Sequence, residues 1–320
     1  MSENISPSEH LAQVQATFDG TADPRTVEIA RAAVKHLHAF IEEVGLTRDE
    51  WFAGIQFLTS VGQKCDDVRQ EFILLSDTLG ASMLVEMINH AAADGTTEPT
   101  VFGPFHVDGS PVKEFGESII IDDDGDVMVL KGTVTNLEGE PIAGATLDVW
   151  EVGSNGLYDV QDDGQEGMDL RGLFTTDEQG RYQLTTVRPV DYTIPDDGPV
   201  GKMLRATGRH PWRPAHVHLV ASAPGYKSVT THAFDAASKY LDSDAVFGVR
   251  RSLVVDMDGG EALTTGGGRA SSACESDATR GRERCRRWPR RLPCPPPVSA
   301  AHRTRRRSRD TCWPRRRRAS

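Results

Sequence analysis

Arg213-Pro214-Ala215-His216-Val217-His218-Leu219-Val220 decides how this 320-residue chain is read. The stretch has the pattern of a β-strand entered through a proline. Alternation along a strand puts His216 and His218 on one face and turns Val217 and Leu219 the other way, toward a core. Two imidazoles one residue apart on a strand make half a metal site. Arg213 sits three residues before the first of them. A bare His-x-His also occurs in packed and surface pairs, so the surroundings must carry the reading.

Outward from this strand the period is two. Val127-Met128-Val129-Leu130-Lys131-Gly132-Thr133-Val134 alternates, turns at Glu138-Gly139, and is followed by Thr146-Leu147-Asp148-Val149-Trp150. Gly180 to Thr186, Tyr226 to Phe234 and Arg251 to Asp256 complete a series of short strands separated by Gly, Asn and Asp turns. Such a series predicts a β-sandwich. No internal repeat at a fixed period is visible. Before it, Thr97 to Val107 is a proline-interrupted loop of unusual apolar content, which suits the lining of a site.

The first third has a helical period. Asp23-Pro24 opens a run with Val27, Ala30, Val34, Leu37 and Ile41 at helical spacing. Thr47-Arg48-Asp49-Glu50 forms a capping box ahead of Trp51, Ile55 and Leu58. Asp66 to Ala92 predicts a third helix. The fold class expected is therefore mainly β, a sandwich preceded by an α-helical dimerisation region. The expected domains are 1–96, helical; 97–263, the sandwich; and 264–320, a basic low-complexity tail.

Composition bounds the partners. The net charge of -11 conceals a split, because the tail from Arg269 carries seventeen arginines against four acids. That leaves the tail near +13 and the body near -24. An acidic body argues against nucleic acid as partner. No stretch approaches the roughly 20 apolar residues of a membrane span, and Met1 to Gln15 is too polar for a signal peptide. Cys65 is the sole cysteine outside the tail, which fits a reducing, cytoplasmic setting.

Two tyrosines lie upstream in turn-like settings: Tyr158 in Asn155-Gly156-Leu157-Tyr158-Asp159, and Tyr192 in Pro189-Val190-Asp191-Tyr192-Thr193-Ile194-Pro195. If both reach His216 and His218, the set is two phenolates and two neutral imidazoles. Phenolate is a hard anionic donor and suits Fe(III). Zinc more often takes Cys, His or carboxylate, and Fe(II) oxygenases take two His and one carboxylate. Two phenolates and a hydroxide neutralise a ferric ion, which limits the cost of burying it.

Tyr158, Tyr192, Arg213, His216 and His218, in that order, resemble the iron site of the intradiol ring-cleavage dioxygenases. The resemblance runs through Trp150 to Asp159, Asp191 to Gly201 and Arg213 to Gly225, and covers roughly residues 25 to 258. It implies one Fe(III) per subunit held by Tyr158, Tyr192, His216 and His218. It implies that Tyr192 leaves the metal when a catecholic substrate binds and acts as its base. Arg213 is then placed to stabilise carbanionic charge on the ring, with a salt bridge to the acidic body as its simpler role. A homodimer through the helices, with room for a lipid at the interface, is implied by the same resemblance, and neither membrane nor nucleic acid is expected as a partner.

The resemblance also places Leu74, Asp77, Val101, Phe102, Gly103, Pro104, Phe105, Ile194, Pro195 and Val246 around the ring. Most are apolar. A carboxylate beside an aromatic ring is costly unless it meets a donor, and a third ring hydroxyl is such a donor for Asp77; its simpler role is an exposed helical carboxylate. Phe102-Gly103-Pro104-Phe105-His106-Val107 and Thr231-His232-Ala233-Phe234 resemble the hydroxyquinol branch, where catechol enzymes carry Gln at the His232 position. The expected reaction is therefore opening of hydroxyquinol (benzene-1,2,4-triol) by O2 to 3-hydroxy-cis,cis-muconate, the enol of maleylacetate. The alternatives are a catechol or chlorocatechol 1,2-dioxygenase, or an inactive ligand-binding sandwich.

Beyond about Gly266 the chain is rich in Arg, Pro, Gly, Ser and Cys with no hydrophobic period. Relatives end in one more sandwich strand, for which the sequence shows no counterpart. Out-of-frame translation of GC-rich DNA accounts for that composition; a basic arm is the rival reading.

Overall fold

The computed structural model describes residues 5–66, 69–90, 95–162, 164–165, 167–257 and 263–269. Five helices come first: α1 (Pro7–Ala16), α2 (Pro24–Val44), α3 (Arg48–Lys64), α4 (Glu71–Thr78) and α5 (Ala81–Asn89). Strands β1 (Val127–Thr135), β2 (Thr146–Glu151), β3 (Arg171–Thr175), β4 (Arg181–Val187) and β5 (Tyr192–Thr193) follow. Then come α6 (Pro199–Ala206), β6 (Trp212–Arg213), β7 (His216–Ser222), β8 (Val229–Asp235), β9 (Val254–Val255) and β10 (Leu263–Arg269). No helix among the described residues is long and apolar enough to cross a membrane.

The helix boundaries follow local chemistry. Asp23 caps α2 through the Arg25 amide and Pro24 fills the first turn, where a missing N–H costs nothing. Gly45, at φ 59°, ends it. Thr47 and Glu50 form the expected capping box of α3, the Thr47 amide donating to Glu50 Oε2 at 2.9 Å. A second box, Ser6 with Glu9, opens α1 in a stretch whose polarity gave the sequence reading no helix.

The helix expected from Asp66 to Ala92 is divided. Gly80 stands at φ 72° between α4 and α5, and a left-handed residue cannot continue a right-handed helix. The apolar pattern runs on across the break, which hides the boundary from periodicity, although α4 buries Leu74 and Leu75 and α5 buries only Met83. Residues 67–68 and 91–92 of that expected helix lie outside the described residues.

The sandwich consists of a five-stranded sheet, β3-β2-β7-β8-β9, and a three-stranded sheet, β10-β1-β4. Leu130, Val134, Tyr182 and Leu184 on the smaller sheet meet Leu147, Val149, Phe174, Val217 and Leu219 on the larger. Each fully buried aliphatic side chain here contributes about 1.5–3 kcal/mol. A charge at Leu184, which has no exposed surface, would break the core. Val217 and Leu219 point into this core, so the alternation of β7 sends His216 and His218 to the opposite face of the sheet.

A final strand exists, contrary to the sequence expectation. β10 pairs parallel with β1 at the edge of the smaller sheet, with Leu130 opposite Leu263. Leu263-Thr264-Thr265-Gly266-Gly267-Gly268-Arg269 has no alternation to announce it, and a parallel edge strand is held by its backbone ladder. The tail from residue 270 lies outside the described residues.

Candidate active site

Strand register assembles the site. Trp150 of β2 is the cross-strand partner of His218 in β7, and His218 is in turn the partner of His232 in β8. Tyr192 of β5 is the partner of Arg213 in β6. Tyr158 immediately precedes a short 3-10 turn, and the Arg171–Asp159 ion pair anchors that turn. Arg171 also donates to the Phe105 carbonyl at 2.8 Å, tying the turn to the loop at residues 101–107.

Four of the five residues whose order carried the family resemblance converge. Tyr158 Oη lies 3.0 Å from Tyr192 Oη and 3.0 Å from His218 Nε2. His218 Nε2 lies 3.1 Å from His216 Nε2. All four side chains are buried. His216 Nδ1 donates to the Pro214 carbonyl at 2.6 Å, which leaves the Nε2 lone pair facing the cluster. Trp150 stacks on His218 at 4.6 Å and 13°. Gly103, at φ 77°, lets the backbone come close above the same ring, where an added Cβ would sit 3.3 Å from His218 Cε1.

The electrostatics suit a cation. Burial first, then neighbouring His232, His216 and Arg213, push His218 well below its ordinary value; burial and Arg213 do the same to His216. Both imidazoles are therefore neutral, as ligands must be. Burial, then Tyr192, push the Tyr158 phenol well up, with Arg213 opposing. Two phenol oxygens and two Nε2 atoms turned on one another without a charge to share make a donor set that a metal ion completes. The residues fit such an ion.

His232 was expected only as a substrate contact, yet its ring nitrogens come within 4.8 Å of those of His216 and His218. Neither nitrogen has a hydrogen-bond partner, although the Val101 backbone lies close. The ring stacks on His216 at 4.5 Å.

Arg213 is buried and donates to both Asp244, at 3.1 Å, and Tyr192 Oη, at 3.2 Å. Burial works against its cation, but Asp244 and the two tyrosines outweigh burial and raise its pKa. The salt bridge considered at the sequence level exists, with Asp244 as partner, and the same guanidinium also faces the cluster. Asp77 is buried rather than exposed on its helix. Burial raises its pKa, with Ser82 and Arg213 acting in the other direction.

Leu74, Val101, Ile194 and Val246 share one buried cluster, and Phe105 packs with Tyr158 and Tyr192 in another. Pro104 and Pro195 are partly exposed, and Phe102 is exposed while touching His106 and Trp150. Sequence reasoning missed Asp244 and the positioning role of Arg171 and Asp159. Asp244 had no signal, being 31 residues from Arg213 in an irregular segment. A cavity of about 470 Å³ borders Asp244 but is lined by none of Tyr158, Tyr192, His216 and His218.

A helical cap on a β-sandwich with a buried cluster of phenols and imidazoles defines a class of metal-binding sandwich enzymes. Residues 23–97 match the family described as catechol dioxygenase N terminus, and residues 102–272 match the dioxygenase family. The chain belongs to the intradiol ring-cleavage dioxygenases. It is 51% identical to the 6-chlorohydroxyquinol 1,2-dioxygenase of Cupriavidus pinatubonensis over 76% of this chain and 88% of that protein. It is 49% identical to the hydroxyquinol 1,2-dioxygenase of a Rhizobium species, over 73% and 80%. The crystal structure of hydroxyquinol 1,2-dioxygenase from Pseudomonas putida superposes with a TM-score of 0.77 at 44% identity, covering 83% of this chain and 99% of that one.

Proposed function

We propose that this protein opens hydroxyquinol with O2 between its two adjacent hydroxylated carbons, giving 3-hydroxy-cis,cis-muconate, the enol of maleylacetate. One Fe(III) per subunit is held by Tyr158, Tyr192, His216 and His218. The observation that carries this reading is the chain of contacts at 3.0–3.1 Å through Tyr192, Tyr158, His218 and His216. The hydroxyquinol enzymes among its relatives support the substrate. A ferric ion bound there would supply the Lewis acidity that favours the ionised phenols and makes an aromatic diol reactive toward O2.

The chain's own residues do the rest. Tyr192 Oη receives a proton from a substrate hydroxyl, and Arg213 Nη1, 3.2 Å away, compensates the charge there as the proton moves. The Arg213 cation, held by Asp244, offsets negative charge that builds on the ring. Leu74, Val101, Ile194 and Val246, with Pro104, Phe105 and Pro195, form an apolar slot for a flat ring. Asp77 accepts a hydrogen bond from the third hydroxyl. His232 contributes to the same slot with ring nitrogens open to a polar partner.

The protein works as a homodimer in the cytoplasm. Leu37, Phe40 and Val44 of α2 and Trp51, Ile55 and Leu58 of α3 are exposed apolar side chains, more than isolated surface residues account for. A second copy, with a lipid chain filling remaining apolar space, covers them. Light scattering at micromolar concentration tests this, and a monomer would rule it out.

The test of the activity is oxygen uptake by iron-loaded protein with hydroxyquinol and catechol side by side. Preference for hydroxyquinol is expected. Preference for catechol would favour the catechol 1,2-dioxygenase alternative, and no turnover of either would leave a ligand-binding sandwich.

A further inference from the structure

One wall of the proposed slot has no secondary structure. Residues 101–107 cross above His218, where Gly103 brings the backbone close to the ring. Among the described residues, no backbone amide or carbonyl of this segment bonds to another backbone group. Its position must therefore come from side-chain anchors. Arg171 is one, holding the Phe105 carbonyl at 2.8 Å. His106 is a second. Its Nε2 donates to Asp148 Oδ2 at 2.8 Å, and the Ser110 hydroxyl donates to Asp148 Oδ1 at 2.6 Å. A carboxylate only accepts, so His106 Nε2 carries a proton.

Strand alternation places the acceptor. Leu147 and Val149 enter the core, so Asp148 and Trp150 stand on the face that carries His218. The His106 ring lies edge-on to Trp150, with centroids 4.7 Å apart at 69°, and against Phe102 at 4.6 Å. Trp150 in turn lies flat on His218. Trp150 Nε1 has no hydrogen-bond partner among the described residues, so packing orients the indole. The bond to Asp148 therefore fixes a run of rings, Phe102, His106 and Trp150, that ends on His218. With 15% and 20% of their side chains exposed, His106 and Asp148 are largely shielded from water, which strengthens the bond between them.

We propose that Asp148 and His106 clamp the 101–107 loop over His218, which makes both of them positioning residues for the aromatic ring of the substrate. Asp148 acts through His106, and His106 through the loop. The clamp deepens the proposed activity and rests on it for its kinetic meaning; the position of the loop does not depend on turnover. Val101, Phe102, Gly103, Pro104 and Phe105 offer the slot apolar side chains and bare backbone. None of these tells a diol from a triol. The clamp therefore acts on hydroxyquinol and catechol alike, in contrast to Asp77.

Iron-loaded wild type and His106→Ala are compared by crystallography and by steady-state kinetics on hydroxyquinol and catechol. Expected in the variant are a displaced 101–107 loop, KM raised at least about fivefold for both substrates, a smaller change in kcat, and iron content equal to wild type. His106→Gln, which still has a donor for Asp148, should recover most of the KM. His106→Phe, which keeps a ring without the donor, should not. If His106→Ala does not fold, the Gln and Phe variants decide. A loop unmoved in His106→Ala, an unchanged KM, or rescue by His106→Phe equal to that by His106→Gln would overturn the clamp and leave His106 a packing residue. If the wild type turns over neither compound, the proposed activity falls, and the position of the loop in the variant alone decides the clamp.

Discussion

Tyr192 and Arg213 are direct cross-strand partners, and Arg213 Nη1 donates to Tyr192 Oη at 3.2 Å. Because Asp244 grips the other side of the guanidinium, the cation cannot swing away from the phenol. A fork gripped from two sides is a task a lysine ammonium cannot reproduce.

Arg213→Lys should therefore lower kcat by about 10²–10³ with little change in iron content, the cost typical of losing one preorganised charge stabiliser. Arg213→Ala should also lower stability by about 3–5 kcal/mol, because Asp244 is left buried without its partner. Steady-state kinetics and thermal melts check both. Unchanged kcat in Arg213→Lys would make the arginine a purely structural counter-ion.

The two tyrosines should differ as ligands. Tyr158→Phe is expected to lose stable iron and the visible tyrosinate charge-transfer band, because Tyr158 touches both Tyr192 and His218. Tyr192→Phe should keep more iron and lose turnover, since the proposed reaction makes its oxygen the base. Iron assay and absorption spectra of both variants check this. Iron content equal to wild type in both would mean that neither phenol is a ligand.

Asp77 should set selectivity. A hydrogen bond to a charged group is worth roughly 1.5–3 kcal/mol, or about 10- to 150-fold in specificity. Asp77→Ala should lower kcat/KM for hydroxyquinol by that factor while catechol holds or gains, because the variant no longer buries a carboxylate to which catechol brings no donor. Equal losses on both substrates would assign Asp77 to folding.

Glu151 should make stability fall with rising pH. Burial raises its carboxyl well above the ordinary carboxylate range, Thr186 opposes, and Asp123 and Asp169 add to the rise; Asp122 and Asp159 line a cavity with it. A carboxyl whose pKa is higher folded than unfolded gives stability that is full below the unfolded pKa and is lost as pH rises through the folded one. Glu151→Gln should gain on the wild type in Tm as pH is raised from 5 to 9. A pH-independent difference would show that Glu151 does not titrate on unfolding.

Local chemistry was legible in the chain alone. The Asp23-Pro24 start, the Thr47–Glu50 box and the alternation through Val127–Val134 are readable because capping and period act between residues a few positions apart. The two faces of the His216–Leu219 strand follow from the same period. The family resemblance added the order Tyr158, Tyr192, Arg213, His216, His218.

What only the tertiary structure decided are the relations across strands and through irregular segments. Register put Trp150, His218 and His232 side by side and brought Tyr192 against Arg213. Packing of α4 buried Asp77 near Arg213. Asp244 closed the arginine from an irregular stretch, and β10 formed from a glycine run with no pattern. Each depends on which distant segments share a sheet edge or a cavity. Backbone pairing and burial fix that choice, and they leave no period in the sequence to be read.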